Sequence, residues 1–115
     1  MSTMRNSVML VGRPGADPEV KKFNDNKKVA RFNIAVTESY KNANDEWVNT
    51  TQWFPVVAWN GMADRVEKLV KKGVQIAIDG KLHNNEWQDD KGQNHIVTEI
   101  MLEDVLVIEK DKLEK

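Results

Sequence analysis

The sequence predicts an all-β domain with one short helix, folded as a five-stranded barrel. Three observations carry this. Five segments show strand character, through period-2 alternation or short apolar runs, with turn residues between them. One stretch, Met62 to Lys72, repeats its apolar residues at helical spacing. The order along the chain is strand, strand, strand, helix, strand, strand.

The first strand is Val8-Met9-Leu10-Val11-Gly12, ended by glycine. Arg13-Pro14-Gly15-Ala16-Asp17-Pro18 is a turn cluster, after which Glu19 to Phe23 resumes the strand past a bend. Asn24-Asp25-Asn26-Lys27-Lys28 is a tight, positively charged turn. In the second strand Ala30, Phe32, Ile34 and Val36 face one way, and Val29, Arg31, Asn33, Ala35 and Thr37 the other. Tyr40 to Asn49 reads as a long polar loop, the kind that in compact domains is usually functional.

The third strand, Thr50 to Trp59, is rich in β-branched and aromatic residues. Asn60 is placed to cap the helix and Gly73 to end it, with Lys71 and Lys72 near its negative dipole end. Met62, Val66, Leu69 and Val70 form its apolar stripe. Val74 to Gly80 alternates as the fourth strand, and His83 to Trp87 extends it past a bend. Asp89 to Gln93 is a turn. The last strand lies in His95 to Ile108, where Ile96, Thr98, Ile100 and Leu102 share a parity that Val105 and Val107 break. That break predicts a bulge near Glu103 and Asp104. Residues 1–108 are then one domain and 109–115 a short charged tail. A helix between strands three and four of a five-stranded Greek-key barrel is the OB-fold, an oligonucleotide-binding architecture.

Composition narrows the function. A chain of 115 residues, 40% hydrophobic and 30% charged, makes one modest core. Cysteine is absent, which excludes disulfides and thiolate chemistry and fits a reducing compartment. The N-terminus has no apolar segment of a secretory signal, and the longest apolar runs, such as Val8 to Val11, are too short for a membrane span. A net charge of −1 gives no basic surplus, so a nucleic-acid partner would require a segregated positive face.

No catalytic constellation emerges. The carboxylates are scattered, and Ser2, Ser7 and Ser39 sit in no nucleophile-elbow context. His83 and His95 flank a hairpin turn, but two histidines fall short of a zinc site. The chain is expected to be no enzyme and to need no metal or cofactor. Gly12-Arg13-Pro14-Gly15 has a GxxG spacing, yet its proline marks an ordinary turn.

The aromatics say more. On the third strand Trp53, Pro55, Val57 and Trp59 share one face, and Phe54, Val56 and Ala58, on the other, suffice for a core row. Both indoles could still be core. As surface groups they would form a base-stacking platform. Tyr40, Trp47 and Trp87 lie beside loops among polar and basic residues such as Lys41, Asn44, Asn84 and Lys91, an unusual setting for core aromatics.

Five signatures in order resemble bacterial single-stranded DNA-binding proteins. They are Asn6 to Gly12 with Asp17-Pro18-Glu19; Val29 to Val36 with Glu38-Ser39-Tyr40; Gln52-Trp53-Phe54 with Val56 to Trp59; Lys72 to Leu82; and Trp87-Gln88-Asp89 with Gly92. The resemblance runs from about Asn6 to Ile108. It implies a homotetramer, a dimer of dimers, that coats single-stranded DNA in replication, recombination and repair in the bacterial cytoplasm, associated with the nucleoid. The family's stacking aromatics fall on Tyr40, Trp53, Trp59 and Trp87, and Trp47 has no assigned counterpart. Arg5, Lys21, Arg31, Lys72 and Lys91 are the expected phosphate contacts. The chain departs from the pattern at His83-Asn84-Asn85-Glu86, where arginines are common, and at Pro55, where a basic residue is common. The tail 109–115 has alternating charges and no acidic, aromatic tip, so recruitment of tip-dependent replication and repair partners is not expected. One alternative is a related OB-fold replication subunit that works through protein contacts. Another, an oligosaccharide-binding module, would also use aromatic platforms.

Overall fold

The computed structural model describes residues 5–24 and 26–108. The elements are β1 (Val8–Pro14), β2 (Glu19–Asn24), β3 (Lys27–Lys41), β4 (Trp47–Trp59), α1 (Gly61–Leu69), β5 (Ile76–Gln88) and β6 (Asn94–Val107). The predicted first strand is thus β1 and β2, separated by the Gly15–Pro18 bend. The sheet order is β1-β5-β6-β4-β3-β2, and β1 also pairs with β3, which closes the barrel. Every pairing is antiparallel except β4–β6, joined in parallel at Val56↔Ile100 and Val57↔Met101. This is the predicted five-stranded Greek key with a helix before its fourth strand.

The core follows the predicted parity. Ala30, Phe32 and Ile34 of β3 and Val56 and Ala58 of β4 are buried together with Ile76, Ile78, Ile100, Leu102 and Val105. Ala63 and Val66 of α1, with Val70 just beyond it, join the same cluster. Arg65 anchors the helix to β6 by donating to Asp104 Oδ1 (2.9 Å) and to the Val105 carbonyl (3.0 Å). Closure needs Gly12: a Cβ there would lie 2.2 Å from the Ala35 carbonyl oxygen. The bulge appears where expected, the β5–β6 register stepping from Asp79↔Asp104 to Gly80↔Leu102 and so skipping Glu103.

Three expectations change. Tyr40 to Asn49 is mostly not loop: β3 runs to Lys41 and β4 starts at Trp47, in unbroken register from Val29↔Trp59 to Lys41↔Trp47. Backbone pairing needs no apolar side chains, so polar residues extend the ribbon. Its tip is a turn that Asn42 organises, Oδ1 accepting from the Asn44 and Glu46 N–H groups at 2.9 and 3.0 Å. Second, α1 ends at Leu69, because Val70 is already extended (φ −90°, ψ 118°). Gly73 (φ 81°) instead forms the turn into β5, its N–H donating to the Pro14 carbonyl at 3.0 Å. Third, the Asn60 side chain makes no cap bond and accepts from the Lys28 N–H at 3.1 Å. The tail 109–115, Asp25 and residues 1–4 lie outside the described residues.

Candidate nucleic-acid interface

Strand β4 fixes the site. Its even positions fill the barrel, so its odd positions form an outer face shared, by register, with Val29, Arg31, Asn33 and Ala35 of β3 and with Glu19 and Lys21 of β2. Trp53 and Trp59 stand on this face, 57% and 38% exposed. Neither belongs to the core cluster. The core reading of both indoles is therefore set aside. They are six residues apart, a separation of roughly 20 Å along the strand.

Each tryptophan has its own support. Trp53 lies against the β1–β2 bend, close enough that a Cβ on Gly15 would sit 2.6 Å from its ring edge. Beside it opens a groove of about 630 Å³, lined by Gly15, Asp17, Glu19, Arg31, Asn33 and Trp53 among others. Trp59 is stacked on Phe23 of β2, ring centroids 6.5 Å apart and planes at 25°. Phe23 is exposed and was not anticipated as part of the site; its signal in the sequence was an aromatic beside the basic turn.

Between the two tryptophans the face is only partly open. Val57 is completely buried although it points outward by register. Its neighbours are Arg31 and Met101, and the Arg31 guanidinium crosses β4 to meet Glu99 of β6, Nη1 to Oε2 2.7 Å. Glu99 is buried and Arg31 half exposed. One N–H of this expected phosphate contact is thus committed to a carboxylate, while the side chain stays 43% exposed.

Trp87 stands on the β5–β6 hairpin beyond the barrel. It shares the strand parity of His83, which pairs with Glu99, so it lies on the continuation of the outer face. Its register partner is His95, and the two rings stack at 4.4 Å and 19°. His95 Nε2 in turn meets Asp89 Oδ2 at 2.8 Å. Asp89 also accepts from the Lys91 and Gln93 N–H groups, each at 2.9 Å, which closes the hairpin turn. The His95 bond, then the Gln93 bond, hold the Asp89 carboxyl below its ordinary value. Tyr40 is exposed near the end of the β3–β4 ribbon, but it pairs with Val48 at the parity that faces the core lower down. By register it is on the other side of the ribbon from Trp53 and Trp59.

The expected cations surround these aromatics rather than forming one block. Lys21 is level with Val29, the register partner of Trp59. The Lys72 N–H donates to Asp17 Oδ1 at 2.9 Å, which sets Lys72 beside the groove at Trp53. Lys91 is in the turn beyond Trp87, and Arg5 precedes Asn6, whose amide holds both backbone groups of Leu82 at the root of the hairpin. Lys28 of the basic turn is neutralised: Nζ donates to Asp64 and Glu67 at 2.6 and 2.5 Å, and these bonds raise its pKa while lowering that of Asp64. Among the described residues no group of three or more His, Asp or Glu side chains is placed to hold a metal, and no helix is long and apolar enough to cross a membrane.

Comparison with known proteins agrees with this geometry. The profile of the "Single-strand binding protein family" matches residues 5–108. The "Single-stranded DNA-binding protein" of Rhizobium meliloti (strain 1021) is 38% identical over 100 residues, covering 85% of this chain and 58% of that protein. "Single-stranded DNA-binding protein 1" of Chlorobaculum tepidum is 35% identical over 104 residues, covering 90% and 64%. The chain thus spans about three fifths of the length of these relatives. A solved structure described as "Plasmodium falciparum SSB complex with ssDNA" superposes with a TM-score of 0.80 at 30% identity, over 95% of this chain and 99% of that one.

Proposed function

The chain belongs to the single-strand binding protein family, and from that membership we propose that it binds single-stranded DNA without regard to sequence and protects it in replication, recombination and repair. The observation that carries the reading is the outer face of β4. Trp53 and Trp59 are exposed there, while Phe54, Val56 and Ala58 pack inward. An exposed indole forfeits burial free energy, and a base stacked on it restores part of that at about 1–3 kcal/mol. Every base has a π-face, so such contacts are indifferent to sequence. Tyr40 and Trp87 add platforms on the two ribbons. Arg5, Lys21, Lys72, Lys91 and Arg31 supply phosphate contacts.

Self-association belongs to the same reading, as a homotetramer built from two-fold dimers. Met9, Val11 and Leu106 support it: they are exposed, apolar and share the outer face of the β1–β5–β6 sheet through Val11↔Ala77 and Ala77↔Leu106. The bacterial sources of the two named sequence relatives fit a place of action in the bacterial cytoplasm, at the nucleoid.

Titration with oligo-dT tests the reading directly, since tryptophan emission is quenched when bases stack. Quenching is expected at low salt, with a log–log salt slope shallower than that of a strongly basic binder, because the net charge is −1 and the cations are scattered around the aromatics. Absence of quenching at low salt would overturn the reading.

A further inference from the structure

We propose that Trp47 is a further base-stacking platform, the third on β4, carrying the bound strand off the barrel and along the β3–β4 ribbon. The proposal rests on the single-stranded DNA reading above and extends its footprint to a tryptophan outside the four stacking aromatics that the resemblance implies.

The argument is one of register. β4 pairs with β3 continuously from Val29↔Trp59 to Lys41↔Trp47, with no bulge to switch sides. Trp47, Trp53 and Trp59 are all odd positions of one strand, so all three project from one face. The intervals are equal, six residues each, or roughly 20 Å. The three indoles thus form a line of roughly 40 Å, half on the barrel and half on the ribbon. The rungs between Trp47 and Trp53 on this face are polar: Thr37 and Thr51 hydroxyls 3.4 Å apart, and the Ser39 hydroxyl donating to Asn49 Oδ1 at 2.6 Å.

Trp47 is 70% exposed, more than any other tryptophan of the chain. Its stem is nonetheless held. The Asn42 turn closes the ribbon within the five residues before Trp47, and Lys41, its register partner, places Nζ 5.7 Å from the ring centroid. The ammonium occupies one face of the indole as a cation–π partner. The other face is open to a base; the same ammonium also lies 3.9 Å from Asp45 Oδ1, an exposed ion pair that a phosphate of the bound strand would have to displace.

The test is a length series. Oligo-dT of graded length, across and beyond the roughly 4–16 nucleotides that one such barrel occupies, is titrated into the wild-type chain, Trp47→Ala, Trp47→Phe and Trp53→Ala. Trp47→Ala is expected to match wild type on the shortest oligomers and to bind the long ones roughly tenfold more weakly, within what one stacked base supplies. Trp47→Phe should restore most of the loss. Thermal melting should be unchanged by either Trp47 substitution. If wild type and Trp53→Ala behave as the functional reading requires but Trp47→Ala equals wild type at every length, the proposal fails and the reading stands. A loss that is equal on short and long oligomers also overturns it. So does a fall in sedimentation mass of Trp47→Ala without DNA, which would make Trp47 a contact between copies. If the wild-type chain binds no oligomer, the reading fails and the proposal with it.

Discussion

Arg31 and Glu99 clasp each other over β4, Nη1 to Oε2 2.7 Å, with the carboxylate buried and the guanidinium half in solvent. The pair links β3 to β6 across the strand that carries Trp53 and Trp59. Removing the arginine strands a buried charge. Arg31→Ala is expected to cost about 2–3 kcal/mol of stability, read from the urea midpoint. The double variant Arg31→Ala/Glu99→Gln should recover part of that, because the uncompensated charge is gone. Equal instability of single and double variants would show that the ion pair is not the source.

Trp53→Ala and Trp59→Ala should each weaken oligo-dT binding by about 1–3 kcal/mol while the barrel stays folded. Trp59→Ala additionally exposes Phe23, so its melting temperature should fall more than that of Trp53→Ala. Circular dichroism melts alongside the titrations separate the two effects. Loss of the fold in either variant would return that tryptophan to the core.

Gly15→Val tests how Trp53 is positioned. The added Cβ meets the ring edge at 2.6 Å, and the exposed indole yields more readily than backbone. The expected result is weaker DNA binding with little change in stability. Unchanged binding would mean that Trp53 works without its seat on the bend.

Acid should loosen the β5–β6 hairpin before the barrel. The Asp89 carboxyl is held below its ordinary value of 3.8 by His95 and by the Gln93 N–H. Its contribution is therefore fully present above that value and disappears as the pH falls through the lower, folded-state value. A change in Trp87 emission confined to the range below about pH 4 is expected, and Asp89→Asn should abolish it. A transition centred near neutrality would refute this origin.

A charge on the outer apolar sheet should dissociate the proposed tetramer. Leu106→Glu sets a carboxylate beside Val11 and Ala77 without touching the core. Light scattering should then report a smaller species than wild type. An unchanged mass would place the contact between copies elsewhere.

Much of this was legible from residue type and period. Alternation on β3 and β4 identified the core row and the outward tryptophans, since burial on one face is what writes period 2 into a strand. Where function or solvent sets the residues on both faces, that pattern disappears, and Tyr40 to Asn49 read as loop although the strands pair as far as Lys41↔Trp47. Val57 was hidden for another reason: its cover comes from Arg31 and Met101 on neighbouring strands, and one strand's sequence carries no record of its neighbours. The Trp87–His95 stack was recoverable in principle. A turn at Asp89–Gln93 sets the two residues opposite each other by counting outward from its centre.

The register also dictates an order of assembly. The two ribbons, β3–β4 and β5–β6, are hairpins, and hairpins form locally within about 1–10 μs. They are joined in two places: through β1, which pairs with β5 from Val8↔Gly80 to Gly12↔Ile76 and with β3 at Arg13↔Ala35 and Pro14↔Ile34, and by a short seam of β4 to β6 at Val56↔Ile100 and Val57↔Met101. That seam joins residues far apart in the chain, so its loop entropy is met only after both ribbons exist. During synthesis the first ribbon is complete at Trp59, yet Phe32, Ile34 and Val56 stay open to water until Ile100 to Val105 emerge to cover them. Nearly the whole barrel must leave the ribosome before any part of it is stable, and for that interval the nascent chain presents an unshielded sheet to whatever chaperone is nearby.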